Sequence, residues 1–302
     1  MNSTFPKQVF VFLGLVAFIS SCSKQQDESV SNAKVESSQQ VEITPLPKPD
    51  HIVIAIYENH SYEKIIGSVS APYINSLSND AYSANFLKSY AITHPSQPNY
   101  LCLYSGSNQG VTSDKMPTVP FTTANLGHQL IKASKSFATY SEGLPSVGYN
   151  GSSYDAYRRK HNPAANWMGS GLNHVPKTTN QPFTAFPKDF TKLPTVSLVI
   201  PDQNNDMHDG SINTGDTWLK KNLDKYIQWA KTHNSLFILT FDEDDHSYGN
   251  HITTIFTGSM VKQGQYTDTI NHYNVLRTIE KMYGLPYAGY AKNMTTIIKC
   301  WK

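Results

Sequence analysis

The sequence predicts an α/β fold, a three-layer sandwich built around a largely parallel central sheet. Short runs rich in Val, Ile, Phe and Thr alternate along the chain with segments of helical periodicity, the order that is typical of parallel α/β domains. Several runs are apolar on consecutive residues, as in strands covered on both faces. The predicted strands are 51–57, 84–91, 136–141, 195–200, 235–241 and 251–258, and the predicted helices are 71–81, 125–134, 214–232 and 270–284.

The last predicted helix shows the periodicity most clearly. Its apolar residues Val275, Leu276, Ile279 and Met282 recur at helical spacing, and Gly284 follows as a stop signal. The segment 142–194 is different, because it is irregular and rich in Gly, Pro and Asn. A connection of that length is usually functional, so we expect it to cover the functional site.

The N-terminus has the pattern of an export signal. Lys7 precedes an apolar stretch at 9–19 that is too short to span a bilayer but fits a signal peptide. The sequence ISSC at 19–22 resembles the lipobox of bacterial lipoproteins, in which the cysteine carries the lipid. Residues 1–22 are therefore predicted to be a lipoprotein-type signal peptide ending at lipidated Cys22. Plain secretion with cleavage nearby is the alternative.

Two regions follow the signal. Residues 23–49 are polar, rich in Ser and Gln and nearly free of aromatic residues, which is typical of a disordered tether. Residues 50–302 contain no second segment of this kind and are predicted to form one catalytic domain. Together these features predict a bacterial cell-envelope protein, held at the membrane by a lipid anchor alone, or a secreted protein.

Charge and cysteine content narrow the function classes. The formal net charge is only +2 and no Lys/Arg-rich block occurs, so the sequence lacks the basic footprint of nucleic-acid binding. With Cys22 lipidated, Cys102 and Cys300 remain. An oxidising compartment would permit a disulfide between them. The apolar surroundings of Cys102, in YLCLY, favour a buried free thiol instead.

The stretch THPSQPNY at 93–100 places Ser96 between two prolines, at the predicted start of a helix. For an isolated serine, a helix N-cap is the simplest interpretation. A hydroxyl in that position also lies near several unpaired backbone N–H groups, which favour a bound anion. Ser96 is therefore predicted to be a helix cap and a candidate nucleophile.

Polar side chains follow three of the predicted strands, and the run 84–91 leads directly to Ser96. Because the carboxyl ends of parallel strands form one edge of a sheet, we expect these groups to converge there. Crowded carboxylates need a cation to stay ionised, and carboxylates joined by histidines predict a divalent metal of unknown identity. The polar groups are Glu58, Asn59 and His60, then Asp202, Asn205, Asp206, His208 and Asp209, then Asp242, Glu243, Asp244, Asp245, His246 and His251.

Six motifs occur in an order that resembles the secreted acid phosphatase and phospholipase C-type phosphoesterases of the alkaline phosphatase superfamily, including mycobacterial and fungal acid phosphatases. The resemblance covers about residues 50–292 and implies an alkaline phosphatase-like fold. The motifs are ENHSYEKIIG, THPSQPNY, YRRKHNP, VIPDQNNDMHDGSI, FDEDDHSYGNHITTIFTG and INHYNVLRTIEKMYGLP.

The resemblance also implies roles for individual residues. Ser96 matches the nucleophile, and His208 matches a histidine that protonates the leaving alcohol or steadies phosphate. His272 on the last helix has either a packing or a functional role. The implied metal ligands are Glu58, Asn59, Ser96, Asp242, Glu243 and His251, the implied phosphate-binding residues are Asn99, Arg158, Lys160 and His161, and the supporting residues are Asn205, Asp206 and Asp209.

These observations predict a metal-dependent phosphomonoesterase. Ser96 would attack phosphorus to give a phosphoserine, and water would then release phosphate. The resemblance adds phosphoinositides to the candidate substrates, and whether one metal ion binds or two stays open. The alternatives are a phospholipase C-type phosphodiesterase, which would differ in the walls formed by 142–194, and a non-catalytic envelope binding lipoprotein.

Overall fold

The computed structural model describes Met1 and residues 45–118 and 120–302. Pro45–Lys302 form one compact unit. The predicted signal peptide at 1–22, apart from Met1, and the predicted tether up to residue 44 lie outside the described residues. Among the helices of the described part, none combines the length and the apolar character needed to span a bilayer.

Twelve strands and six α-helices occur in the described residues. The strands are β1 His51–Tyr57, β2 Ser83–Phe86, β3 Ser89–Tyr90, β4 Phe137–Ser141, β5 Ser153–Tyr154, β6 Tyr157–Arg158, β7 Asn180–Pro182, β8 Val196–Ile200, β9 Ser235–Phe241, β10 Thr254–Thr257, β11 Gly264–Tyr266 and β12 Ile270–Asn271. The helices are α1 Tyr62–Ile65, α2 Pro72–Ser78, α3 Ser96–Ser105, α4 Leu126–Lys132, α5 Ile212–Ala230 and α6 His272–Tyr283.

Eight strands form the central sheet, in the order β11-β2-β10-β9-β1-β8-β4-β7. All neighbouring pairs are parallel except those of β10, which runs antiparallel to both β9 and β2. The predicted, largely parallel α/β sheet is confirmed. The predicted strand 251–258 is shorter than expected, since only Thr254–Thr257 pair within the sheet.

Both faces of the sheet are buried, which explains the continuous apolar runs. The even-numbered residues 52–56 of β1 pack in one core with α3, α4 and α6. The odd-numbered residues 53–57 pack in a second core with α1, α2 and α5. Since successive side chains of a strand point to opposite faces, β1 contributes to both cores and must be apolar throughout. The three-layer prediction is confirmed.

The loops after the three central strands are joined by backbone hydrogen bonds. The Glu58 N–H, just after β1, donates to the carbonyl of Asp206 after β8 at 2.9 Å. The Asp242 N–H, just after β9, donates to the carbonyl of Tyr57 at 2.8 Å. Because β9, β1 and β8 are adjacent and parallel, these bonds hold their carboxyl ends together at one edge of the sheet.

The segment 142–194 is less irregular than its composition suggests. It contains β5, β6, β7 and five short 3₁₀ helices. β7 pairs with β4 at the end of the central sheet, where Pro182 is tolerated because an edge strand has a free side. One of the 3₁₀ helices, Arg159–His161, carries the basic motif toward the loops described above.

The two cysteines of the described domain are free and buried. The Cys102 sulfur on α3 lies 3.1 Å from the Tyr273 hydroxyl on α6, and burial raises the pKa of the Cys102 thiol to about 12. The predicted buried thiol is confirmed, and Cys102 and Cys300 do not pair.

Glu280 on α6 is a buried carboxyl group that the sheet-edge site does not use. Its Oε1 accepts a hydrogen bond from the Ala288 N–H at 2.8 Å, whereas its Oε2 has no partner. Burial raises the pKa of Glu280 to about 8. The native state therefore holds the neutral acid at pH values where the unfolded chain is ionised.

Replacing Glu280 with Gln should remove a pH-dependent loss of stability. Because the native pKa lies above the unfolded one, wild-type stability should fall as pH rises from about 4.5 to about 8. The free energy of unfolding, measured in urea, should drop by about 2–4 kcal/mol more in the wild type than in Glu280→Gln between pH 5 and pH 8. Parallel curves for the two proteins would contradict this assignment.

Candidate active site

Ser96 is the first residue of α3, and its hydroxyl points at acidic groups from two strand ends. Ser96 Oγ lies 2.9 Å from Glu58 Oε2, 3.0 Å from Glu243 Oε1 and 3.3 Å from Asn59 Oδ1. The N-cap of the helix is Pro95, which makes no side-chain bond. The predicted helix start is confirmed, but the predicted cap is wrong because the Ser96 hydroxyl bonds across the site.

The backbone after β1 and β9 turns so that it supports one carboxylate from two sides. Asn59 has a φ of 49°, in the left-handed region that Asn tolerates better than most residues. Its N–H donates to Asp242 Oδ1 at 3.1 Å, and the Glu243 N–H donates to the same oxygen at 2.6 Å. Asp242 Oδ2 is buried and has no partner.

Glu58 also takes part in a second group of possible metal ligands. Its Oε1 accepts a short hydrogen bond from the Tyr100 hydroxyl and lies 3.3 Å from His161 Nε2. His161 Nδ1 lies 3.3 Å from Asp206 Oδ2. Glu58, His161 and Asp206 each offer a ligand atom within 4.8 Å of the others. Glu58 thus connects Ser96 on one side with His161 and Asp206 on the other.

Burial makes this concentration of acidic groups unfavourable without a cation. Burial raises the pKa values of Glu58, Asp206 and Asp242 well above their usual range, and the neighbouring carboxylates raise them further. Burial likewise raises the pKa of Glu243 to about 7. Burial also lowers the pKa of His161 well below its usual value, which leaves the neutral imidazole that binds metals.

The donor set fits a divalent metal ion. Asp242 Oδ2, Asp206 Oδ2 and His161 Nε2 are buried without hydrogen-bond partners, and a metal is the group that such atoms bind in a crowded acidic site. The Ser96 hydroxyl has one hydrogen and three acceptors around it, so hydrogen bonding alone leaves two acceptors unsatisfied. The residues therefore fit a divalent cation.

His208 lies at the rim of the site. The backbone N–H of His208 donates to Asp206 Oδ1 at 2.8 Å, and its ring Nδ1 lies 2.7 Å from Asp209 Oδ1. The imidazole of His208 is half-buried, and its centroid lies 6.1 Å from that of His161. Asp209 therefore orients His208, and the loop after β8 places the ring beside the buried acids.

Several residues predicted for the site have other contacts. His251 Nδ1 lies 2.8 Å from Glu63 Oε1 and its Nε2 lies 2.9 Å from the Leu87 carbonyl. Both ring nitrogens of His251, which was predicted as a metal ligand, are thus occupied by contacts with other protein groups. Asn205 donates to Glu142 and Asp202 and so braces the loop after β8.

The predicted phosphate-binding residues divide into three groups. Asn99 Oδ1 accepts the N–H groups of residues 92 and 93, so the Asn99 amide shapes the loop before Ser96 instead of facing phosphate. His161 lies among the acids, in a metal-ligand position rather than a phosphate-binding one. Lys160 pairs with Asp114 at 2.8 Å, and Arg158 donates to backbone carbonyls.

His272, at the start of α6, has a packing role. Its Nε2 donates to the backbone carbonyl of Asp242 at 2.7 Å, and burial lowers the pKa of His272 to about 4. The neutral ring therefore fixes the loop after β9 from behind.

Sequence reasoning missed three residues around the site. Tyr100 lies one helical turn after Ser96, so its i+4 spacing was a usable signal. His94, inside the quoted motif, has its Nδ1 2.7 Å from Glu243 Oε2. Asp114 accepts the Gln97 N–H at 3.0 Å, and no motif marks it.

An acidic site that fits a metal ion, beside a helix-start serine at the carboxyl edge of a largely parallel α/β sheet, is typical of hydrolases that act on phosphoric esters. Residues 72–286 match the model of the Phosphoesterase family, and the chain belongs to that family.

Individual relatives agree with this assignment. The chain is 48% identical over 258 residues to the phosphatidylinositol-3-phosphatase of Mycobacterium tuberculosis, covering 85% of this chain and 84% of that protein. It is 30% identical over 215 residues to an acid phosphatase of Aspergillus fumigatus, covering 66% of this chain and 48% of that enzyme. The resemblance inferred from the motifs is confirmed.

A solved structure supports the fold. A protein of the alkaline phosphatase superfamily from Vibrio parahaemolyticus superposes with a TM-score of 0.58 at 12% identity, covering 84% of this chain and 72% of that one. The predicted alkaline phosphatase-like fold is therefore confirmed.

Adding a divalent metal to chelator-treated protein should stabilise it, because the cation relieves repulsion among the buried acids. At a free metal concentration of about 100 Kd, Tm should rise by about 5–10 °C. Asp242→Asn should lose most of this shift and bind less metal by elemental analysis. Asp245→Asn, which alters a surface partner of Lys64, is the control and should keep both. No rise with Zn²⁺, Mn²⁺, Mg²⁺ or Ca²⁺ would contradict the metal site.

Proposed function

We propose that the protein is a phosphomonoesterase that uses Ser96 as its nucleophile, with phosphoinositides among its substrates. One observation carries this proposal: the Ser96 hydroxyl lies within 3.3 Å of Glu58, Asn59 and Glu243, in a site that fits a divalent metal. The name of the mycobacterial relative supports the substrate class.

The residues around Ser96 prepare it for attack. Glu58 Oε2 and Glu243 Oε1 lie 2.9 and 3.0 Å from its Oγ, and the single hydroxyl hydrogen can be donated to either. His94 in turn holds Glu243 through its other oxygen. Divalent metal, as one ion or two, would be held by Glu58, Asn59, Asp242 and Glu243 and by His161 and Asp206, and would supply charge neutralisation for phosphate oxygens and a lowered hydroxyl pKa.

The reaction proceeds in two displacements at phosphorus. Ser96 Oγ passes its proton to Glu243 and forms a bond to phosphorus as the bond to the substrate alcohol breaks, and the departing oxygen takes a proton from His208. Asp209 keeps the His208 ring oriented for that transfer. Water then gives a proton to His208 as it attacks the phosphoserine, the Oγ–P bond breaks, and Ser96 takes its proton back from Glu243. The chain's contribution is mainly positioning and charge stabilisation.

Ser96→Ala should lower kcat for p-nitrophenyl phosphate by at least about 10³-fold, because the variant has no oxygen to receive phosphate. Ser105→Ala is a matched control, since Ser105 is equally buried at the other end of α3 and bonds only to nearby groups of its own loop and helix.

Mass spectrometry of wild-type protein quenched during turnover should find phosphate on Ser96. Near-normal turnover by Ser96→Ala would refute the mechanism. Faster hydrolysis of bis-p-nitrophenyl phosphate than of the monoester would instead favour the phosphodiesterase.

We also propose that the mature protein is anchored at the cell envelope through lipid on Cys22, on the strength of the ISSC sequence after the apolar stretch. The position lies outside the described residues. Two acyl chains bind membranes far more firmly than one, so a lipidated N-terminus would retain the enzyme without a spanning helix.

Cys22→Ala should move the protein from the membrane fraction because it removes the lipid attachment point. Fractionation of cells expressing wild type or Cys22→Ala, followed by immunoblotting, measures this, and Cys102→Ala is the control because that thiol is buried in the domain. Equal membrane retention of wild type and Cys22→Ala would contradict lipidation.

A further inference from the structure

A polar cavity of 290 Å³ lies beside the candidate active site. Its wall contains three consecutive cationic side chains, two serines, one methionine and one carboxylate, namely Arg158, Arg159, Lys160, Ser152, Ser153, Met116 and Asp114. The size is at the lower end for ligand pockets. With a single apolar side chain in its wall, the cavity suits a small polar group and not an acyl chain.

Arg159 is the most unusual member of this wall. It is 5% exposed, and its guanidinium donates to neutral acceptors only: the Asn150 and Ala165 carbonyls, Asn166 Oδ1 and the Met116 sulfur. Its Nε has no partner. Within the described part of the chain, neither Arg159 nor Arg158 forms an ion pair. A buried positive charge without a counter-ion is costly unless an anion joins it.

The remaining charges of the cavity neutralise each other and connect it to Ser96. Lys160 Nζ lies 2.8 Å from Asp114 Oδ2, and Asp114 Oδ1 accepts the N–H of Gln97, the residue after Ser96. Gln97 Nε2 donates to the carbonyls of Ser113 and Lys115, each at 2.9 Å. The loop 113–115 is thereby fixed against the start of α3, next to Ser96.

The other side of the cavity is connected to the metal-ligand group. Lys160 and His161 are consecutive residues of one 3₁₀ helix, with Lys160 facing Asp114 and His161 facing Glu58 and Asp206. Two consecutive residues of one short helix thus connect the cavity to the metal-ligand group beside Ser96.

We propose that this cavity binds a second anionic group of the substrate, a phosphate or phosphodiester carried by the same molecule as the phosphate that reacts. The inference rests on the proposed phosphomonoesterase function and extends it, because it assigns Arg158 and Arg159 to recognition of the leaving group. Planar guanidinium groups match phosphate oxygens in geometry and charge. The preferred substrates are thus esters with two anionic groups on one small polyol.

The test compares two soluble substrates that differ by one phosphate, inositol 1,3-bisphosphate and inositol 3-phosphate. Arg158→Gln should lower the ratio of their kcat/KM values by about tenfold, because the charge-assisted hydrogen bond to the second anionic group is lost. Lys220→Gln removes a positive charge from the exposed surface of α5 and is the control, with an unchanged ratio. Arg158 is chosen because it is half-buried. Arg159→Lys is a second variant, which keeps the charge at the buried position but loses the planar guanidinium group.

Inhibition of inositol 3-phosphate hydrolysis by inorganic phosphate distinguishes the source of the anion. A loss of the substrate ratio in Arg158→Gln supports the proposal. An unchanged ratio overturns it. If Arg158→Gln also weakens inhibition by phosphate while the ratio is unchanged, the cavity binds free phosphate instead. Equal losses on both substrates also overturn it, because the arginine would then serve the reacting phosphate. If the wild type hydrolyses neither substrate, the proposed phosphomonoesterase function itself fails, whatever the ratio.

Discussion

The central constraint of this structure is the repulsion among four buried carboxylates at one edge of the sheet. Glu58, Asp206, Asp242 and Glu243 are all at most 4% exposed, and they follow β1, β8 and β9. Such a group is compatible with folding only when protons or a cation compensate it. Compensation by protons would remove the ligands, whereas compensation by a metal ion creates a binding site for phosphate. The same buried carboxylates thus destabilise the fold without a cation and form the site that a metal ion and phosphate bind.

The parallel arrangement of the central strands makes this concentration possible. β9, β1 and β8 are neighbours, so their loops leave the sheet side by side and hydrogen-bond to each other through Glu58, Asp242 and their partners. An antiparallel β1 would send its acidic loop to the opposite edge. β10 is antiparallel and begins beside the end of β9, with Thr254 opposite Thr240, so the loop before it starts at the same edge. Within that loop His251 bridges to Tyr90, and its ring nitrogens contact Glu63 and the Leu87 carbonyl.

The sequence was sufficient for features with a local signal. The apolar runs predicted the central strands, and the polar residues after them predicted Glu58, Asp242 and Glu243 as neighbours. The roles of Ser96 and His161 depended on tertiary contacts instead. Helix-capping rules consider only nearby groups, so they predicted a cap for Ser96. In the structure its hydroxyl instead faces Glu58 and Glu243, which follow distant strands. His161 and Asp114 lie in segments without periodicity, whose path is fixed by contacts such as those of Gln97 and not by propensity.

The segment 142–194, predicted to cover the site, contributes residues both to the metal-ligand group and to the cavity. One turn of 3₁₀ helix, Arg159–His161, carries a residue of the metal-ligand group at one end and the buried arginine of the cavity at the other. Because the turn is short and its side chains are held on both sides, the distance between the two sites is fixed by covalent geometry. This turn would therefore select substrates whose two anionic groups are the right distance apart. Selectivity would then depend on that distance more than on the number of contacts.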